Sequence, residues 1–269
     1  MTRRGRGVPP VAIALAVVAV AFFALPLVGL LVRAPWNEVW DDLSNPAARD
    51  AIRLSVECSL WSTALAVVFG VPLAYVLARA EFPGRAFVRA LVVLPMVLPP
   101  VVGGIALLFA FQRNHGLLGG WLYDTFGLQF TFSKTGVILA ETFIAMPFLV
   151  ITVEAGLRSM DRRYEDAASS LGANRWTVFR RVTVPLIGPS LFAGAALAWA
   201  RALGEFGATI MFAGNIQGRT QTTPLAVYNL LPSDQGTAIA LSLVLLVVSI
   251  VVLVVLRDRW FGGLRDAHR

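Results

Sequence analysis

The chain has 269 residues, 57% of them hydrophobic and 14% charged, and its mean hydropathy is +0.71. Soluble domains carry about 25% charged residues, so a soluble globular enzyme is excluded and a polytopic membrane protein is indicated. The net charge of +7 raises nucleic acid as a partner, while the lone cysteine, Cys58, excludes a disulfide framework or a multi-cysteine metal site within the chain.

A basic head with Arg3, Arg4 and Arg6 precedes an apolar run over residues 11–32. That run is near the roughly 20 residues needed to span a bilayer and longer than the 7–15 of a signal-peptide core, so it reads as a retained first span. Residues 33–53 are polar, with Trp36 and Trp40 placed for the interfacial aromatic belt and room for a short surface helix. The second span is expected over 54–77. A Phe82-Pro83-Gly84-Arg85 turn leads to a third over 91–111, which holds Pro95, Pro99, Pro100, Gly103 and Gly104. Prolines remove backbone donors, and broken backbone in a bilayer is tolerated where protein buries it or where it lines a cavity. Pro99, Pro100 and Gly103 therefore suit either a kinked, pathway-lining helix or an interfacial turn before the span. The fourth span is expected over 135–157, the fifth over 186–213 and the sixth over 237–256, giving an all-α chain of six transmembrane helices in a single domain, 1–269.

Placing the N-terminus in the cytoplasm puts most of the basic residues there. Arg3, Arg4, Arg6, Arg79, Arg85, Arg89 and six arginines between 158 and 181 join Arg257, Arg259, Arg265 and Arg269, while only Arg33, Arg49, Arg53, Arg113, Lys134 and Arg219 face the other side. By the positive-inside rule both termini are cytoplasmic. Anionic lipid explains such a distribution better than nucleic acid does.

The loop over 158–185 is unusually ordered for a connection between spans. Asp161 or Ser159 can cap a short helix whose early turns carry Glu165 and Asp166, Gly172 can end it, and Asn174 can cap a second helix running through Trp176, Phe179 and Val182. Pro185 then suits the first turn of the fifth span. From Asp166 the pattern is D-A-A-x3-G-x9-V-x-V-P. It resembles the EAA signature of ABC-importer permeases, with Asp166 for the usual Glu and Val182 and Val184 for Ile and Leu. The resemblance implies coupling helices that dock into an ATPase subunit, with Glu165, Asp166, Ala167, Ala168, Leu171, Gly172, Arg175, Val182 and Pro185 at the contact. The chain has no GxxxxGK[ST] loop, because its single lysine, Lys134, follows QFTFS, which has no glycine. ATP and Mg thus belong to a partner, and the chain is a transport subunit rather than an enzyme.

In the run from Ala200 to Tyr228, Arg201 and Glu205 stand four apart and can pair on one helix face. Intramembrane charges face the protein interior or a water path, so this pair either lines an anion path or fixes packing. Gly204 and Gly207 flank Glu205 and permit close helix approach. The run LGEFGATIMFAGNIQGRTQTTPLAVY, the FPGR turn and the LPPVVGG segment together resemble molybdate ABC-transporter permeases, a group that includes tungstate and sulfate/thiosulfate permeases. That implies a type I ABC importer permease fold in the cytoplasmic membrane and a homodimer with two cytoplasmic ATPase subunits. It also implies an external oxyanion-binding protein; along the path, backbone amides, hydroxyls such as Thr209, and Asn215 have the donors to serve a hydrated dianion transiently. A proton-coupled secondary transporter using Glu205 or Glu141 is the alternative, although no internal repeat supports it. His115 and His268 lie in a loop and a tail, and no catalytic or metal-ligating constellation is evident.

Overall fold

A computed structural model describes residues 8–265. Arg3, Arg4, Arg6, His268 and Arg269 lie outside the described residues, as do the side chains of Arg257, Arg259 and Arg265. The described chain is helical in the order α1 Pro10–Val32, α2 Val39–Ser44, α3 Pro46–Arg79, α4 Arg85–Val97, α5 Pro100–Phe111, α6 Gly119–Phe126 and α7 Lys134–Ser159. It continues through α8 Arg163–Ser170, α9 Arg175–Val178, a π-helical segment Phe179–Thr183, α10 Val184–Leu186, α11 Gly188–Leu203, α12 Gly207–Phe212, α13 Thr223–Leu230 and α14 Gln235–Arg265. Among the described residues four helices, α1, α3, α7 and α14, are long and apolar enough to cross a membrane. Two bent pairs, α4 with α5 and α9–α10 with α11, raise the number to six if each pair counts as one span.

Helix starts follow local chemistry. Asn45 accepts from the Ala47 N–H at 3.1 Å with Pro46 at the first position of α3, so this helix begins eight residues before the expected 54. Ser133 accepts from the Gly136 N–H and starts α7. Trp36, on the short link before α2, donates to the Leu31 carbonyl at 3.0 Å.

The centre of the bundle is α3 against α7 and α11. Ala66, Gly70, Ala74 and Ala78 recur every four residues along α3, and all are buried. This stripe of small residues lets the backbones approach without the hydrophobic driving force that water would supply. A Cβ on Gly70 would stand 2.9 Å from Leu149 of α7, so the approach is set by the missing side chain. Leu77, Leu149, Val153, Leu157, Ala198 and Ala202 fill the remainder. The apolar helix α1 has no buried residue within this chain and touches the bundle at α14.

The third and fifth spans are not the continuous helices expected over 91–111 and 186–213. α4 and α5 are bent by 119°, and the break lies at Leu98–Pro99, both extended. Each of these residues precedes a proline, which disfavours the helical region for it. Pro95, by contrast, stays inside α4. At the fifth span, Pro185 has no N–H for the Arg181 carbonyl, and the residues before it wind into the π segment, where the Val184 N–H reaches Phe179. A bend of 73° follows at Ile187, and Pro189 rather than Pro185 opens α11. α11 then stops at Leu203, and α12 restarts at Gly207.

The short helices α5 and α12 cover each other's broken ends. A Cβ on Gly104 would lie 2.7 Å from the Ala208 carbonyl oxygen, and one on Gly207 would lie 2.8 Å from Pro100 Cβ. We expect Gly104→Ala to separate these helices at an overpacking cost of about 1–3 kcal/mol, lowering the melting temperature in detergent by several degrees. Gly29→Ala, where nothing lies within 4 Å, serves as control. Equal melting of the two variants would contradict the close contact.

Candidate functional site

The polar loop folds as two short helices, α8 and α9, each started by a side chain. Asp161 Oδ1 accepts from the Arg163 N–H at 2.9 Å, and Asn174 Oδ1 accepts from the Thr177 N–H at 2.8 Å. Between them α8 ends in a Schellman turn: the Ala173 N–H bonds the Ala168 carbonyl at 3.1 Å, and the Gly172 N–H bonds Ser169 at 3.0 Å. Gly172 has φ +85°, a conformation that glycine adopts without strain. These caps are where the spacing places them.

The two acids of the first turn differ in their surroundings. Glu165 turns inward: Oε2 is 3.0 Å from Arg79 Nε at the end of α3, and Oε1 accepts from the Thr183 hydroxyl at 2.7 Å. Both side chains of the ion pair are about one-eighth exposed. Glu165 therefore joins the loop to the membrane helix rather than lying on its outer face. Asp166, Ala167, Leu171, Gly172 and Arg175 face outward, Ala168 and Val182 are half-buried, and Pro185 is exposed. Leu171 is 89% exposed, Trp176 68% and Tyr164 58%. Trp176 stacks on Phe179, which in turn meets Tyr75 of α3 edge-on at 5.0 Å. A cleft of about 750 Å³ lies between α3 and α9, lined by Tyr75, Arg79, Glu165, Arg175 and Trp176 among others.

Arginines brace the same end of the bundle. Arg85 donates from Nε and Nη2 to the Leu77 carbonyl at 2.9 and 2.5 Å, closing the end of α3. Glu154 of α7 receives Arg89 at 2.5 Å and Arg158 at 2.8 Å. The pairing of Arg79 and Thr183 with Glu165 was not legible from spacing. The only signal was an arginine ending one span near an acid in a distant loop.

The residues expected along a path form two groups. Arg201 Nη2 lies 2.5 Å from Glu205 Oε2, and Glu205 Oε1 accepts from the Ala208 N–H at 2.7 Å. Glu205 is 1% exposed, so it both pairs with Arg201 and caps α12, and the packing role is the one the geometry displays. Gly207 sits in the tight contact with α5, and Gly103 meets Phe143 of α7. Gly204 has no such contact and is exposed at the end of α11. Thr209 is fully buried, with no hydrogen-bond partner for its hydroxyl among the described residues. Asn215 stands apart, donating to Asn229 and accepting from Gln221, both at 3.0 Å.

Removing the Glu165 carboxylate leaves Arg79 and Thr183 without their partner. An unsatisfied buried group costs about 1–3 kcal/mol, so Glu165→Ala should open the loop roughly tenfold more often. Limited trypsin digestion at the exposed arginines 162, 163 and 175 measures this. An unchanged cleavage rate would remove Glu165 as the anchor.

Residues 66–260 match the family described as binding-protein-dependent transport system inner membrane component. Over 237 residues the chain is 46% identical to the molybdenum transport system permease protein ModB of Mycobacterium bovis, covering 88% of this chain and 89% of that one. ModB of Escherichia coli K12 is 40% identical over 79% of this chain and 92% of its own length. The sulfate transport system permease protein CysT of the same strain is 37% identical over 85% and 83%. The fold resembles that of a bacterial alginate ABC transporter crystallised with its alginate pentasaccharide-bound periplasmic protein, with TM-score 0.70, 18% identity and 90% of each chain covered. This chain belongs to the family of binding-protein-dependent transport system inner membrane components.

Proposed function

We propose that the chain is the membrane-spanning permease subunit of an ATP-driven importer for a tetrahedral oxyanion, molybdate first. The observation that carries the reading is the likeness along nearly the whole chain to permeases named for molybdenum transport. Sulfate permeases are similar at a lower identity, so sulfate and tungstate are the natural competitors.

In this reading the two bent pairs are spans three and five of six, and the arginine-rich end of the bundle is cytoplasmic. The working unit is a homodimer with two ATPase subunits that hold ATP and Mg, supplied with substrate by an extracytoplasmic binding protein. α8 and α9 are its coupling helices. Their outward face supports this, because Tyr164, Leu171 and Trp176 are exposed there. Tryptophan and tyrosine anchors such as Trp176 and Tyr164 carry much of the binding energy at protein interfaces. Closure of the ATPase dimer would push on that face, and Glu165 would pass the displacement to α3 through Arg79 while Thr183 passes it towards α11. Alternating access follows from tilting α3, α7 and α11 as one packed unit. No covalent step takes place on this chain.

The transfer between sides needs no tight site in the bundle, since the binding protein has already selected the anion. Glu205 is already held by Arg201 and the Ala208 N–H, which leaves it poorly placed as a proton carrier for a secondary transporter.

Proteoliposomes carrying the permease with its ATPase and loaded binding protein test the reading. Molybdate uptake should require ATP and survive collapse of the proton gradient. Gly172→Asp forces a side chain into φ +85° and should abolish uptake with the protein still inserted. Uptake that persists without the ATPase and falls with the proton gradient would sink the assignment.

A further inference from the structure

The end of the bundle opposite α8 and α9 carries a second polar cavity, of about 300 Å³. Asp50, Arg53 and Glu57 of α3, Lys134 at the start of α7, and Gly218 and Arg219 of the loop before α13 line it. Arg53 is 26 residues from Arg79 on one helix, so about 39 Å separates the two ends at 1.5 Å per residue. That exceeds the roughly 30 Å of a bilayer's hydrocarbon, and the cavity therefore opens on the other face of the membrane.

Its lining sets three cations, Arg53, Lys134 and Arg219, against two carboxylates, Asp50 and Glu57, and so keeps one net positive charge. Lys134 pairs with Glu57. Among the described residues, neither Arg53 nor Arg219 has a carboxylate within ion-pair distance, although they come from elements 166 positions apart in sequence. The loop that carries Arg219 is not a loose one. The Thr220 hydroxyl accepts from the Ile216 N–H at 2.9 Å, Gly218 turns the chain at φ +70°, and Gln221 donates to Asn215. Thr223 then locks it to α3 on both sides of Arg53: its N–H donates to Ser55 Oγ at 2.6 Å and its hydroxyl to the Ala51 carbonyl at 3.2 Å. Thr220, Thr222 and Thr223 are at most 1% exposed. The backbone that carries Arg53 and Arg219 is thus fixed at one cavity, and each guanidinium offers a fork of donors that suits a four-oxygen anion.

We propose that this cavity is an outer anion station, in which Arg53 and Arg219 receive a tetrahedral dianion as the binding protein releases it. The proposal rests on the importer reading above. Both arginines are exposed, so water and salt screen them, with a Debye length of about 8 Å at physiological ionic strength. A site of this kind holds its ligand weakly and acts on the rate of capture, where charge steering contributes roughly 10–10³-fold. Weak holding suits a handover, because the anion has to move on.

The test uses the permease assembled with its ATPase in proteoliposomes, supplied with molybdate-loaded binding protein at limiting concentration. Arg53→Gln/Arg219→Gln should lower the initial uptake rate about tenfold relative to wild type in low salt, and the ratio should rise towards one as salt is added. Arg53→Lys/Arg219→Lys should retain most of the rate, and docking of the loaded binding protein, read by biolayer interferometry, should persist in all variants. The single exposed change Arg219→Gln decides the matter in the same direction if the double variant fails to assemble. An unchanged low-salt rate overturns the proposal. So does a loss of docking that matches the loss of uptake, because the arginines would then hold a carboxylate of the binding protein. A wild-type complex that imports none of molybdate, tungstate or sulfate refutes the importer reading instead.

Discussion

A single carboxylate, Glu165, ties the polar loop to the end of the central helix α3 and to the segment leading into α11. Its two oxygens are divided between Arg79, the last residue of α3, and Thr183, at the end of the π segment leading to α11. Two elements of the central bundle thus converge on one side chain of α8. The surrounding residues make that joint stiff: Phe179 lies between Tyr75 and Trp176, Arg85 closes the end of α3, and Glu154 gathers arginines from α4 and α7. A charge pair shielded from water is screened far less than a surface pair. The joint therefore keeps its geometry under conditions that loosen exposed contacts.

The second constraint is the accommodation of broken backbone within an apolar slab. α5 and α12 begin at breaks whose first N–H groups lack helical partners. The fold meets this in three ways. Prolines at the first positions of α5 remove donors, Glu205 accepts from α12, and glycines on both helices let each cover the other. Arg201 neutralises the carboxylate used as a cap. Each device spares a buried backbone group from being left unpaired. The packing of α3 on α7 obeys the same economy, with small residues in place of large ones where the backbones must meet.

Residue types that act locally were legible before the fold was known. Hydropathy located the long apolar helices to within a few residues at most ends, and the turn residues Asn174 and Gly172 marked the caps of the polar loop because capping is a matter between near neighbours. The density of proline and glycine around residue 99 announced a disturbance, though not a bend of 119°. Hydropathy read the fifth span as one helix over 186–213, because an average over a window is blind to a chain that stops at Leu203 and restarts at Gly207. Gly204 and Gly207 looked equivalent in sequence, and only Gly207 meets another helix.

The sequence by itself determined that the chain is a membrane protein, where its long apolar helices lie, and that one polar loop is built to a pattern, since each of these depends on composition or on residues a few positions apart. The tertiary structure decided which of two adjacent acids is an anchor, that Glu205 serves a helix end, and that Arg53 and Arg219 share a cavity. Those outcomes depend on which helix ends meet across the bundle, over sequence separations of 86 residues for Arg79–Glu165 and 166 for Arg53–Arg219. Spacing along a chain carries no information about such meetings until packing has fixed them.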